Sequence, residues 1–445
     1  MLPAVSSTSK QKYVKERRMR SGARTRFILM AAVTAALGGA ASAQLLPSTP
    51  LPPVGGVIDQ VGRTGQMAAD RLQPALGEVR QSAGELAAAR VERLEALVRA
   101  NRGTLEMTDA GPAVRGEVIA VDPDPASLAA AAAAGFTRLG EERIEGLEVS
   151  EVTLAVPRGW SVDRALSRLR RLAPNGQFAA NTLHDQSGSV GSAAAGAAAL
   201  AQGRPAPGPA AIGMIDGGVA GHPALRGGIQ QRGFAGGAPR PSAHGTAIAS
   251  LIAGQGAVRG AAPGAPLVVA DVYGGDPAGG NALALARALG WMAVQRVPVV
   301  AISLAGPPNA LVARAVAQAQ ARGVHIVAAV GNDGPAAPPA FPASYPGVLA
   351  VTGVDGRGRV LAEAGRASHL DYAAPGADMA AASPNGGLAA VRGTSFAVPF
   401  VAGRLALHAR APQPIAALDA EASERGRRGV GRGVICGDCR TAYRR

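Results

Sequence analysis

Four residues of this chain have the side-chain types that acyl transfer through a hydroxyl nucleophile requires: Asp216, His244, Asn332 and Ser395. Ser395 lies in Arg392-Gly393-Thr394-Ser395-Phe396-Ala397-Val398-Pro399-Phe400-Val401-Ala402-Gly403, a glycine turn leading into an apolar, alanine-rich helical pattern. A serine there sits at a helix N-terminus, where free N–H groups and the positive dipole end favour developing negative charge. A cap is the commoner duty of such a serine, so the assignment depends on its partners. His244 opens a helix of small residues, Ser242-Ala243-His244-Gly245-Thr246-Ala247-Ile248-Ala249-Ser250, close-packed support for a general base; a cap or surface position is the plainer role. Asp216 ends an apolar run, where an acid can orient an imidazole, although the two glycines that follow also fit a turn. Asn332 follows Val327-Ala328-Ala329-Val330, from which an amide N–H can donate to an oxyanion; Asn-Asp-Gly-Pro is also ordinary turn sequence.

The elements that must hold these residues are legible as alternating patterns. Strands are expected over 211–215, 267–272, 297–304, 324–330 and 348–354, and helices over 244–253, 281–295, 311–322 and 394–408. Runs apolar on both faces, alternating with helices, predict an α/β domain with a mainly parallel sheet and helices on both faces. Ligands bind beyond the carboxyl ends of the strands in such sheets, which is where Asp216 and Asn332 fall. Residues 111–186 have the order β-α-β-β-α-β of a small ferredoxin-like α+β unit, with helices opened by Asp124-Pro125 and by Ser161. Residues 187–210 are Gly, Ser, Ala and Pro and read as a linker open to cutting. Residues 44–110 read as a Pro-rich linker followed by an amphipathic helical region, with Leu72, Leu76, Val79, Leu86, Val91, Leu94 and Val98 at helical spacings and no visible chemistry.

With 445 residues the chain has room for two or three domains. Its formal charge of +14 sits at the two ends, which removes the usual argument for nucleic acid as a partner of the main domain. The first basic stretch precedes the apolar run Phe27–Leu37 and the small residues Ala41-Ser42-Ala43, so 1–43 is expected to be a signal peptide. The expectation is export to the periplasm or beyond, with no membrane span left after cleavage; an uncleaved anchor is the alternative, weakened by the shortness of the apolar run. Met19 is a second candidate start. Cys436 and Cys439 are too few for a four-ligand zinc site and are expected as a disulfide or as free thiols. The arginine-rich end from Arg425 is either a solvated loop with a closing strand or an anchor for an anionic surface, and 440–445 is a basic tail.

Taken together, Met214-Ile215-Asp216-Gly217-Gly218-Val219, His244-Gly245-Thr246-Ala247-Ile248-Ala249 and Gly393-Thr394-Ser395-Phe396-Ala397-Val398-Pro399 resemble the subtilisin-like (subtilase) serine protease family, over about 211–435. The order Asp, His, Ser is the subtilisin order. The resemblance implies Ser395 as nucleophile, His244 as general base, Asp216 as the orienting acid, and Asn332 with the Ser395 N–H as oxyanion donors. It also implies an extended-peptide site walled by Ser303, Leu304, Ala305 and Gly306 on one side and by Ala328, Ala329 and Gly331 on the other. The implied protein is an exported serine endopeptidase acting on polypeptides. Residues 211–439 would form the catalytic domain, and 111–186 is similar in layout to the family's inhibitory pro-domains, acting on its own enzyme until a cut near His184–Ser189. No cofactor is implied, and no acidic cluster resembles a calcium loop. The sequence departs from the family at Gly217, where Thr or Ser is usual, so a hydroxyl beside Asp216 is missing. Phe400 and Phe396 replace frequent His and Met, and Ala305 replaces a frequent Gly and is expected to narrow the site. A retired scaffold that binds peptides or envelope partners is the second reading. An esterase of the α/β-hydrolase kind is the third, against which stand the residue order and the lack of a Gly-x-Ser-x-Gly elbow.

Overall fold

The computed structural model describes residues 84–186, 188–191, 210–237 and 239–442. The expected signal peptide and most of the expected linker lie outside them.

The described chain opens with a helix, α1 (84–100). A small unit follows, built from β1 (Leu105–Thr108), β2 (Gly111–Val121), α2 (Pro125–Ala133), β3 (Thr137–Arg143), β4 (Ser150–Ala155), α3 (Val162–Leu172) and β5 (Gln177–Thr182). Its sheet is antiparallel, with β2 between β4 and β5, β3 outside β4, and β1 along the first part of β2. The helix starts follow from local chemistry. The Asp124 carboxyl accepts the Ser127 N–H before Pro125, and the Ser161 hydroxyl accepts the Arg164 N–H. Alternation along the strands then gives the sheet two apolar faces. Val118, Ala120, Val152 and Phe178 pack with Ala165 and Leu169. Ile119 and Val121 face the other way and join a second core, described below.

After β5 come two short strands, β6 (Asp185–Gln186) and β7 (Ser189–Val190). The larger sheet is made of β8 (Ile212–Asp216), β9 (Ile229–Gly233), β10 (Leu267–Asp271), β11 (Val299–Ile302), β13 (His325–Ala329), β14 (Leu349–Val354) and β15 (Tyr372–Pro375). Its order is β15-β14-β13-β11-β8-β10-β9, and every neighbouring pair is parallel. One face is covered by α4 (Ala243–Ala253) and α7 (Val398–Leu407), the other by α5 (Ala282–Val294) and α6 (Ala310–Ala321). The expected α/β architecture is therefore the one observed, and β8 lies inside the sheet.

The small unit docks on α5 and α6. Ile119, Val121, Ile144 and Val149 share a core with Leu285, Leu289 and Val316. Polar contacts fix the register: Arg287 reaches the Glu142 carboxylate at 2.5–3.0 Å, and Arg314 reaches Asp122 at 2.7 Å. Asn309 has two tasks. Its side-chain oxygen caps α6 at the Leu311 N–H, 3.0 Å, and its nitrogen donates to the Ala180 carbonyl, 2.8 Å, and the Thr182 hydroxyl, 3.0 Å, of β5.

Several expected boundaries are corrected. The small unit's sheet starts at Leu105 rather than 111, because β1 pairs with β2. The expected strand 297–304 breaks at Ser303; beyond it β12 (Leu304–Ala305) turns out of the large sheet and pairs with β6. The expected helix 394–408 is a 3-10 turn, Thr394–Phe396, then α7, whose early Pro399 fits a first helical turn. The edge strands β9 and β15 are short and carry weak patterns, as does the hairpin β16 (Met379–Ala382) and β17 (Leu388–Arg392). A last helix, α8 (Pro414–Glu421), was also not expected. The closing segment is a loop along the sheet edge: Val434 bridges Ala373, and Arg432 stacks over Tyr372 while pairing with Asp371 at 2.7 Å. Residues 440–441 belong to the packed domain rather than to a tail, since Ala380 donates to the Thr441 carbonyl at 2.9 Å. Cys436 and Cys439 form a disulfide.

Asn309→Ala is expected to destabilise the chain by about 2 kcal/mol, the sum of a lost cap and buried hydrogen bonds. Urea unfolding followed through Trp160 and Trp291 measures it.

Candidate active site

Asp216 is the last residue of β8 and is fully buried. Its Oδ1 accepts the Gly217 N–H at 2.7 Å, and both oxygens lie 2.9 Å from His244 Nδ1. His244 Nε2 lies 3.0 Å from Ser395 Oγ. With Nδ1–H donated to the carboxylate, Nε2 is left as the acceptor for the serine hydroxyl. The line Ser395–His244–Asp216 is continuous and almost wholly removed from water.

Each member is set by the start or end of an element. The Ser242 hydroxyl caps α4 by accepting the Gly245 N–H at 2.9 Å, and its own N–H donates to the Gly218 carbonyl at 2.8 Å, which ties the histidine helix to the loop after Asp216. Gly245 has no room for a side chain, since a Cβ there would run into the Gly217 carbonyl. Ser395 rides on the 3-10 turn after Gly393, whose φ of 142° is a conformation that favours glycine. Three further bonds hold that turn. Ser303 Oγ donates to the Ser395 carbonyl at 3.0 Å, the Thr394 N–H to Asn332 Oδ1 at 2.9 Å, and Thr394 Oγ1 to the Gly331 carbonyl at 3.1 Å. With the Asn332 oxygen committed, its amide nitrogen is the end left to donate. The Phe396 ring packs 5.1 Å from the imidazole, and Phe400 is buried in the core.

A cleft of about 800 Å³ opens beside Asn332, and the chain's own Asp185, Gln186 and Gly188 form part of its lining. Asp185–Gln186 pair antiparallel with Leu304–Ala305, and Ser189–Val190 pair with Val391–Arg392. Gly188, between these strands, sits so close to Ser395 Oγ and Phe396 that a Cβ would overlap them. Gln186 Nε2 reaches Asp216 Oδ1 at 3.0 Å. From α1, Arg90 and Arg93 reach the Asp333 carboxylate at 2.8 and 3.0 Å.

The structure thus brings Asp216, His244, Ser395 and Asn332 together. Of the expected walls, Ala305, Gly306 and Gly331 line the cleft, and Leu304 takes part by strand pairing. The side chains of Ser303, Ala328 and Ala329 lie in the interior, so what these residues can offer an extended peptide is backbone. Ser303 points at the Ser395 carbonyl, and the two alanines are fully buried in β13, between β11 and β14. Sequence reasoning missed Gln186, Ser303 as a brace of the serine turn, Thr394, and the Asp333 contacts. Only Ser242, a Ser just before a helix, carried a local signal. No cluster of three metal-ligating side chains occurs among the described residues.

His184 is buried beside Gly306, and neither ring nitrogen has a hydrogen-bonding partner among the described residues. Burial pushes its imidazole down from 6.5 to about 4. A folded state that resists protonation keeps its full stability above pH 6.5 and loses it as pH falls toward 4. At 1.36 kcal/mol per pH unit, the loss is on the order of 3 kcal/mol. His184→Leu is expected to remove that part of the acid sensitivity, read as the difference between the two proteins' urea midpoints at pH 7 and pH 4.5.

A model described as Subtilase family matches residues 209–420. Subtilisin BL and Subtilisin Savinase, both from Lederbergia lenta, are each 35% identical over 205 residues, which is 44% of this chain and 74% of theirs. Among solved structures, fervidolysin from Fervidobacterium pennivorans, a keratinolytic enzyme related to subtilisin, aligns with a TM-score of 0.59 at 19% identity over 75% of this chain and 62% of its own, a likeness of fold. The chain belongs to the subtilase family and is a subtilisin-like serine endopeptidase.

Proposed function

We propose that the chain is the precursor of an exported endopeptidase that hydrolyses polypeptides with Ser395, His244 and Asp216 and is processed by its own site. The observation that carries this reading is the hydrogen-bonded line from Ser395 Oγ through His244 to Asp216, with Gly188 lying against the serine. Ser395 Oγ attacks the peptide carbonyl carbon, and the new C–O bond forms as His244 Nε2 takes the hydroxyl proton. The oxyanion is met by the Asn332 amide nitrogen and the Ser395 N–H. The C–N bond breaks as His244 returns the proton to the leaving amine. A water then repeats the sequence on the acyl-enzyme and restores Ser395. Asp216 holds the imidazole tautomer and balances the imidazolium.

Peptides would bind by strand addition to Leu304–Ala305, as Asp185–Gln186 do in the chain itself. On this reading the unit ending at 186 is an intramolecular inhibitor that leaves its last strand in the cleft, and 187–210 is the linker cut on maturation. The basic and apolar composition of residues 1–43 supports a signal peptide and delivery to the periplasm or the outside. Among the described residues no helix is long and apolar enough to cross a membrane.

N-terminal sequencing of the protein beside its Ser395→Ala variant tests self-processing. The parent is expected to acquire a new N-terminus between Gln186 and Ser189 while the variant keeps the residues before that point, apart from the signal peptide; equal trimming of both near Gln186 would assign the cut to another protease. In the mature enzyme, Asn332→Ala is expected to lower kcat on casein peptides by roughly 10²–10³ with little change in KM.

A further inference from the structure

We infer that the enzyme selects peptides bearing a side-chain amide at the position Gln186 occupies, because that amide donates to Asp216 through an opening left by Gly217. The inference rests on the triad reading above and specifies its substrate class.

Asp216 has no exposure, so each of its oxygens depends on protein donors. The catalytic domain itself supplies the Gly217 N–H and His244 Nδ1. A further donor to Oδ1 comes from Gln186 Nε2 at 3.0 Å, on the segment that lies in the cleft. The access is a property of residue 217. A Cβ there would touch Gln186 Nε2 at an ordinary 3.4 Å and collide with the Ser242 hydroxyl, so atoms beyond Cβ would compete for the space that the amide uses. A serine or threonine at 217 would carry an internal hydroxyl donor; glycine carries none.

The register makes this a rule for substrates. Gln186 pairs with Leu304 and Asp185 with Ala305, backbone to backbone. Any extended peptide in that register directs the side chain at the Gln186 position toward Asp216. A glutamine repeats the observed bond. A methionine of similar length fills the space but leaves that side of Oδ1 dehydrated and without a donor. A glutamate sets a second carboxylate against the first. Glutamine at this position thus acts on the reaction through Asp216, as a positioning group that the substrate brings.

The test uses the mature enzyme and peptides with the sequence of residues 183–190, carrying Gln, Met or Glu at the 186 position. The Gln peptide is expected to exceed the Met peptide in kcat/KM by about tenfold, as for a hydrogen bond to a charged group, with the Glu peptide slowest at neutral pH. In a Gly217→Ser variant paired with Ser242→Gly, which makes room for the new side chain and keeps a tolerated cap, the Gln preference is expected to disappear. A serine-directed phosphonate reports on Ser395 separately. A protein that labels at Ser395 yet cleaves the Gln and Met peptides alike overturns this inference alone. One that neither labels nor cleaves overturns the triad reading with it. A Gln preference that survives in the folded double variant overturns the role given to Gly217.

Discussion

The carboxyl group of Asp216 is the feature around which the rest is arranged. It is an acid with no exposed surface, inside a sheet, and a buried charge is tolerated only when donors surround it. Those donors come from the next peptide group, from the first turn of α4 and from the segment in the cleft. Each must approach closely, and the small residues Gly217 and Gly245 let them do so. The parallel sheet fixes the acid itself, since β8 is hydrogen-bonded to β11 on one side and β10 on the other.

The serine end of the line is held by different means. No long element fixes Ser395, which stands on a single 3-10 turn. The turn is held by bonds from Ser303, Asn332 and Thr394, all close to the carboxyl ends of strands or to the turn itself. Asn332 therefore does two jobs with one amide: its oxygen secures the turn, and its nitrogen is left for an oxyanion. Such preorganisation matters because donors fixed in advance need not reorganise when charge develops.

The small unit and the larger domain share a core through Ile119, Val121 and the helices α5 and α6, and β5 leads directly into the residues of the cleft. Tethering a strand in this way makes its binding intramolecular, so a few backbone bonds suffice to hold it. The Arg90 and Arg93 contacts with Asp333 add charge pairs beside Asn332; being partly exposed, each is worth at most about 1 kcal/mol.

The motifs that resemble the subtilases grouped Asp216, His244, Asn332 and Ser395, while the parallel α/β domain and the β-α-β-β-α-β order of the small unit could be read from the amino-acid pattern. The physical reason is that these are local properties: apolar runs with a strand or helix period, and polar residues at the ends of those runs. The pattern could not determine the edge strands, since β9 alternates half-buried and exposed residues and β15 is buried by the distant closing segment, nor the break at Ser303, which depends on the partner strand beyond it. Which neighbours meet Asp216 depends on how distant segments are brought together. Gly217 read as a missing hydroxyl, and packing sets it against the Ser242 hydroxyl, which leaves a Cβ no room, with the Gln186 amide nearby. Contacts between residues 30 positions apart in the chain, as Gln186 and Asp216 are, follow from how the sheets are laid together, and no local pattern records them.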